Sequence, residues 1–379
     1  MSAKSTSTAT TQGLSIRVLL AENRMPMENL AIKSIEAYRV VMEASNARIA
    51  RERCSPDKDA KAGEFEVLAA KYKTRSEQTF IEMFFLPLTQ GSRNVAVKDD
   101  SGNEAENPFW RERAWADDGM DINICQPFLR NSLPKVDTRG DKNYKKLLDS
   151  HERIKNPNPD RCYGLAEQAF TREELRINHL LHKYIGISHG IYHPSIVIEF
   201  GLHKSITELE GQCARGGAAL VNAVRSVRSA AGEDIMVGGA DQDSLVYTFA
   251  ISGEIAYLHV NWAFVEGSST TFHMHLVKEF SLRRGPTIME MRGALNNLLD
   301  WTVGDRQTWI KSLLRRIQAN GHRVVVPTPI TLESTTEDGS IVIVGNEDEG
   351  EDELASGMAA SVSGVGTPNK KRKNDGPAS

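Results

Sequence analysis

An apolar run, Ser195-Ile196-Val197-Ile198-Glu199-Phe200, followed directly by a helical stripe from Ser205 to Ala231, limits this chain to α/β architectures. The run is too short for a helix and too continuous for a half-solvated strand, so it reads as a strand covered on both faces. In the helix, Ile206, Leu209, Cys213, Leu220, Val224 and Val227 form one apolar stripe. Three more strands are predicted over Leu245–Ile251, Glu254–Trp262 (after the Ser252-Gly253 turn) and Thr270–Leu282. Upstream, Thr171 and Glu174 make a capping box for a helix to Tyr184. Two helices follow the strands, Thr287–Trp301 and Asp305–Asn320. The order implies a mixed sheet flanked by helices.

Nearer the N-terminus, apolar spacing predicts a helix from Leu30 to about Arg53. A second starts at the Ser76 cap and ends before Pro87. Residues 88–160 are rich in Asp, Asn, Gly and Pro, with no assigned element. Residues 1–12 and those from Pro327 onward read as disordered. No run of eighteen apolar residues is present, so no membrane partner is expected. Cys54, Cys125, Cys162 and Cys213 match no zinc or disulfide spacing and read as reduced thiols.

Charge separates the tail from the rest. Of the overall −4, residues 331–379 hold −6 (ten acidic against four basic), leaving +2 upstream. A nucleic-acid contact therefore requires a local basic patch. Arg225 with Arg228, Arg283-Arg284, and Arg315-Arg316 with Lys311 are candidates.

The residues with most chemistry are Asp160, in the Pro159-Asp160 turn, and Glu199, at the polar end of the strand. Two carboxylates and a peptide carbonyl, that of Phe200, are hard oxygen donors of the kind Mg²⁺ takes in phosphodiester hydrolysis. Adjacent strands lie about 5 Å apart, so a turn acid and a strand acid can meet. A lysine two residues after the glutamate would face the same way. Position 201 is glycine, and Lys204 is three residues further, beyond the strand.

Asn158-Pro159-Asp160 with Tyr163-Gly164, Ile196–Phe200, Gly211-Gln212-Cys213-Ala214-Arg215-Gly216-Gly217-Ala218-Ala219, and Leu299-Asp300-Trp301 together resemble a fungal family of unknown function. Its core is similar to PD-(D/E)xK nucleases. The resemblance covers roughly residues 70–320. It implies a restriction-endonuclease-like fold with Asp160, Glu199 and the Phe200 carbonyl as metal ligands, Gln212 beside the metal or scissile phosphate, and Glu77 as an additional acid. Where the family reads Glu-Phe-Lys, this chain has Gly201. The expectation is a degenerate nuclease-like domain (residues 70–325) after an N-terminal helical segment (13–69) and before an acidic tail (326–379). It would bind nucleic acid or protein and keep a residual Mg²⁺ site. Two alternatives stay open: an active Mg²⁺-dependent nuclease using Lys204, and a scaffold acting through its tail.

Other constellations are weaker. His179, His182, His189, His193 and His203 crowd together without a defined third metal ligand, and His273 and His275 share a strand face. Gly216-Gly217 inside a helix reads as close packing against the Glu199 strand, with phosphate contact as the sharper option. In the tail, Ile341-Val342-Ile343-Val344 before an acidic run resembles a SUMO-interacting motif, which would add a strand to a SUMO-like partner. Lys370-Lys371-Arg372-Lys373 reads as a nuclear-import cluster, giving a nuclear location with cytoplasmic as the alternative.

Overall fold

Six strands form the central sheet, paired in chain order: β1 (Met120–Ile124), β2 (Arg161–Leu165), β3 (Tyr192–Phe200), β4 (Val246–Ile251), β5 (Ile255–Glu266) and β6 (Ser269–Ser281). All neighbours are antiparallel except β3 and β4, which run parallel. This computed structural model describes residues 35–50, 58–89, 97–98, 104–105, 120–124, 157–185, 191–233, 242–266, 269–320, 334–335 and 341–342. The described residues divide between two units, those up to Asn320 in the first and those from Ser334 in the second. Within the second unit, Ser334–Thr335 pairs with Ile341–Val342.

A parallel step needs a crossover, and α5 (Ile206–Ala230) supplies it. It packs on one sheet face through Leu209, Cys213, Ala218 and Leu220 against Cys162, Val197, Val246, Ala250 and Met274. The opposite face carries Ile196, Ile198, Phe200, Tyr247, Phe249 and Val260. Helices α1 (Ile35–Ile49), α2 (Lys58–Tyr72), α6 (Gly285–Trp301) and α7 (Gln307–Ala319) contribute to that larger core. The two-residue period thus sends Val197 and Glu199 toward α5, and both neighbours of Glu199 away from it.

Local signals set the helix starts. Thr171 and Glu174 exchange capping bonds ahead of α4 (Arg172–Ile185), and Ser205 and Glu208 do the same for α5. Ser76 caps α3 (Glu77–Phe80) as expected, but the helical run continues through Pro87 to Thr89. A π-turn over Ile81–Phe85 precedes the proline and accommodates the missing N–H there. A second π-turn, Thr302–Arg306, joins α6 and α7, which the sequence separates. Helix α2 and strands β1 and β2 were not assigned from sequence. Among the described residues, no helix is long and apolar enough to cross a membrane.

The glycine pair in α5 is a packing device. A Cβ on Gly216 would lie 3.2 Å from Val197 Cγ1, and one on Gly217 would overlap the side-chain amide of Asn261. Both positions bring the α5 backbone down onto the sheet.

Candidate active site

Strand β3 outruns its neighbour. Arg161, the first residue of β2, pairs with Ile198, so Phe200 extends two residues past the ladder on that side. Its peptide groups find other partners. Phe200 N–H donates to Asp160 Oδ2 at 2.7 Å, and Phe200 C=O accepts from Lys204 Nζ at 3.3 Å. On the other side Gly201 N–H donates to Ile251 C=O at 3.0 Å, keeping β3 in step with β4.

Glu199 is 3% exposed on the α5 face. Burial raises its carboxyl well above the usual range, and the nearby Asp160 carboxylate pushes the same way. Arg215, Lys204 and the Asp160 N–H oppose the shift. Burial also raises Asp160, against the Phe200 N–H, Lys204 and Arg161. Glu77, the first residue of α3, is raised by burial; Lys204 and His203 act against this and Asp160 with it. Three acids and Lys204 therefore share one electrostatic neighbourhood.

Gln212 reaches that neighbourhood by helix geometry. Gly216 sits over Val197. Four residues back along α5 is about 6 Å, and two residues forward along β3 is about 6.6 Å. Because α5 runs back against β3, Gln212 stands level with Glu199. Its Oε1 is buried and has no hydrogen-bond partner. Arg215, one turn later, leans toward the helix N-terminus and so toward Glu199. Burial lowers its guanidinium, and Glu199 holds it up.

Lys204 is the main departure from the linear reading. The chain bends over Gly201–Lys204, and a Cβ on Gly201 would lie 2.9 Å from both Cβ and Cδ of Lys204. The lysine stem thus covers the space that a side chain at position 201 would fill. What the two-residue strand period denies to position 204, the bend restores.

The predicted residues Asp160, Glu199, Phe200 and Lys204 are brought together, with Glu77 beside them and Gln212 on α5 at the level of Glu199. Arg215 and His203 join them unforeseen. Arg215 was legible as the residue one helical turn beyond Gln212; His203 carried no comparable signal. Among the described residues, no three His, Cys, Asp or Glu side chains gather closely enough to hold a metal ion. The oxygen donors are nonetheless the hard type that suits Mg²⁺, and the unpartnered Gln212 Oε1 is an acceptor such an ion or its water would satisfy.

The remaining candidates lie elsewhere. His179 Nε2 meets Tyr192 Oη at 3.0 Å, and His193 Nε2 meets Asn178 Oδ1 at 2.7 Å. His189 and the side chain of His182 lie outside the described residues. Arg228 and Arg316 both engage Glu233, Arg225 lies over Phe272, Arg315 is 3.6 Å from Glu174, and Lys311 lies over Phe170. Arg283 pairs with Glu254. Of the tail motifs, Ile341 and Val342 belong to the short ribbon; Ile343, Val344 and Lys370–Lys373 lie outside the described residues, as do Cys54 and Cys125. Cys162 and Cys213 are buried free thiols.

His273 and His275 are buried, and His273 stacks on Trp262 with ring centroids 4.7 Å apart. Burial, with His259 nearby, lowers His275 from 6.5 to about 4. A histidine kept neutral in the fold binds its proton more readily when unfolded, so stability is present above pH 6.5 and lost as pH falls toward 4. The shift corresponds to about 3 kcal/mol at most. His275→Phe is therefore expected to flatten the melting temperature between pH 7 and pH 4.5; an unchanged acid slope would assign the loss to other groups.

Residues 104–314, more than half of the 379-residue chain, match the family described as a domain of unknown function (DUF7924). No curated protein and no solved structure matches the chain.

Proposed function

The chain belongs to the DUF7924 family, whose function is unknown, and from its own site we propose a nuclease-like domain that cleaves phosphodiesters with Mg²⁺. The observation that carries the proposal is the position of Lys204, whose stem lies over Gly201 and whose ammonium reaches the Phe200 carbonyl beside both carboxylates. Support for a restriction-endonuclease-like core comes from the mixed sheet, the helices on both faces, and the acid at the carboxyl end of β3.

Asp160, Glu199, the Phe200 carbonyl and Gln212 Oε1 would hold the ion. When bound, Mg²⁺ supplies Lewis-acid polarisation of a phosphate oxygen and a more acidic water. The protein's own groups do the rest. Lys204 orients the attacking water and offsets charge building on the phosphate. Arg215 favours the ionised form of Glu199, opposing the burial and the Asp160 charge that raise its carboxyl. Asp160, by accepting the Phe200 N–H, fixes the end of β3 against the start of β2.

A second reading, a degenerate domain that binds without cleaving, is favoured by one fact. Phe200 N–H and C=O are already engaged by Asp160 and Lys204. Incubating the full chain with labelled DNA and RNA in Mg²⁺, against EDTA and against Glu199→Gln, separates the two. Cleavage that needs both Mg²⁺ and Glu199 supports the nuclease reading. Absence of cleavage across divalent metals, or cleavage unaffected by Glu199→Gln, would leave the degenerate one.

A further inference from the structure

Three loops meet at the carboxyl end of β3 and β4. One joins α2 to α3, one joins β3 to α5, and the third is the β4–β5 turn. Gly253 of that turn marks the junction, since a Cβ there would lie 3.3 Å from Lys73 Cβ and 3.6 Å from Leu202 Cδ2. The last residues of α2 and the first loop read Lys71-Tyr72-Lys73-Thr74-Arg75, a cation at every second position. Lys71 and Arg75 are exposed, and the Lys71 ammonium lies 5.0 Å from the Tyr72 ring centre. The second loop presents His203, also exposed, and Lys204.

The one acid of the turn, Glu254, is shared by two bases. Lys73 Nζ reaches it at 3.2 Å, and Arg283 pairs with it from the end of β6. One carboxylate between two cations leaves the junction positive. Glu77, at the start of α3, feels the charges of Lys204, Asp160 and His203, which sets this collar at the rim of the site. The body is nearly neutral as a whole, and this collar gathers Lys71, Lys73, Arg75, His203, Lys204 and Arg283 beside the site acids. Tyr72 is half-buried and already faced by Lys71, so the collar offers cations rather than a base-stacking platform.

We propose that the Lys71–Arg75 segment, with His203 and Arg283, is the docking surface for a nucleic-acid backbone, delivering its phosphates to Asp160 and Glu199. The proposal rests on the phosphodiester reading of that site. Contacts of this kind position a strand without reading its sequence, so binding is expected to be sequence-independent and steep in salt.

The test is binding alone, so that catalysis does not enter. Full-length Glu199→Gln protein in EDTA is titrated with fluorescein-labelled 20-nucleotide single strands and 20-base-pair duplexes, of DNA and of RNA, from 50 to 300 mM salt. Adding Lys71→Glu and Arg75→Glu is expected to weaken binding at least about tenfold. The log–log salt slope should fall by about 1.4 for a single strand or about 1.8 for a duplex, two phosphate contacts being lost. Arg315→Glu, on α7 beside Glu174, serves as the control and leaves binding unchanged. No binding of the parent protein at 50 mM salt, or equal affinity and slope in the folded double variant, would overturn the docking surface. Failure of cleavage with this binding pattern intact would instead count against the catalytic reading.

Discussion

Lys204→Ala should lower Mg²⁺-dependent cleavage about a hundred- to a thousandfold, the usual effect of removing one preorganised donor from a charge-developing centre. The lysine is held at both ends of its side chain. Its stem packs over Gly201, and its ammonium contacts the Phe200 carbonyl. Little ordering is left for the moment of reaction. Lys204 is exposed, which predicts a small effect on the melting temperature, so rate and stability should separate. Gly201→Lys adds a sharper arm. Alone, it sets a Cβ against Lys204 and 2.7 Å from Leu209 Cδ2, and it should destabilise the fold. Combined with Lys204→Ala, it loses the contact with Lys204 Cδ but keeps the one with Cβ at 2.9 Å, so the 201–204 bend and the end of Leu209 must both adjust, and it returns an ammonium two residues after Glu199. The double variant should therefore recover part of the rate that Lys204→Ala loses. Single-turnover rates on one labelled substrate measure all three variants. A wild-type rate in Lys204→Ala would remove Lys204 from the chemistry and return the site to the degenerate reading.

Why the bend at 201–204 escaped the linear sequence is a matter of range. The strand at 195–200 and the helix after it were legible because each is set by local periodicity and by the Ser205–Glu208 capping box. Asp160 and Glu199 were legible as a turn acid and a strand-end acid. Their meeting follows from the Arg161–Ile198 register, which a paired-strand argument anticipates. Lys204 comes into place only because position 201 lacks a side chain, and strand periodicity alone put it on the wrong side. Arg215 needed the placement of α5 on β3, which Gly216 and Gly217 determine. Helix α2 was missed because its buried face is made partly of Ala62 and Ala69, small residues that leave a faint apolar stripe. Strand β2 falls just past the Asp-, Asn- and Pro-rich stretch. All five of its residues are buried, so it lacks the alternation by which a half-solvated strand is recognised.

Gly217→Ala should destabilise the domain by about 2 kcal/mol. Overpacking a well-filled core costs up to roughly 3 kcal/mol, and the better helix propensity of alanine returns at most ~1 kcal/mol. The new methyl would overlap Cγ and Oδ1 of Asn261 and lie 2.6 Å from its Nδ2. Asn261 has little room to yield, being 2% exposed on β5 with its amide donating to Thr248 Oγ1 at 3.1 Å. Gly293→Ala is the matched control, because the same Cβ in the middle of α6 meets nothing within 4 Å. That change should stabilise by roughly 0.4–1 kcal/mol. Urea denaturation of the two variants checks the pair, and equal stability of Gly217→Ala and the parent would show that α5 does not depend on this close approach. Relief should come from the partner side: Asn261→Ala in the Gly217→Ala background should cost less than the two single changes added together. The consequence reaches the site, because lifting α5 off β5 also withdraws Gln212 and Arg215 from the level of Glu199. Gly217→Ala is thus expected to lose cleavage beyond what its unfolded fraction explains, at temperatures where the variant is still fully folded.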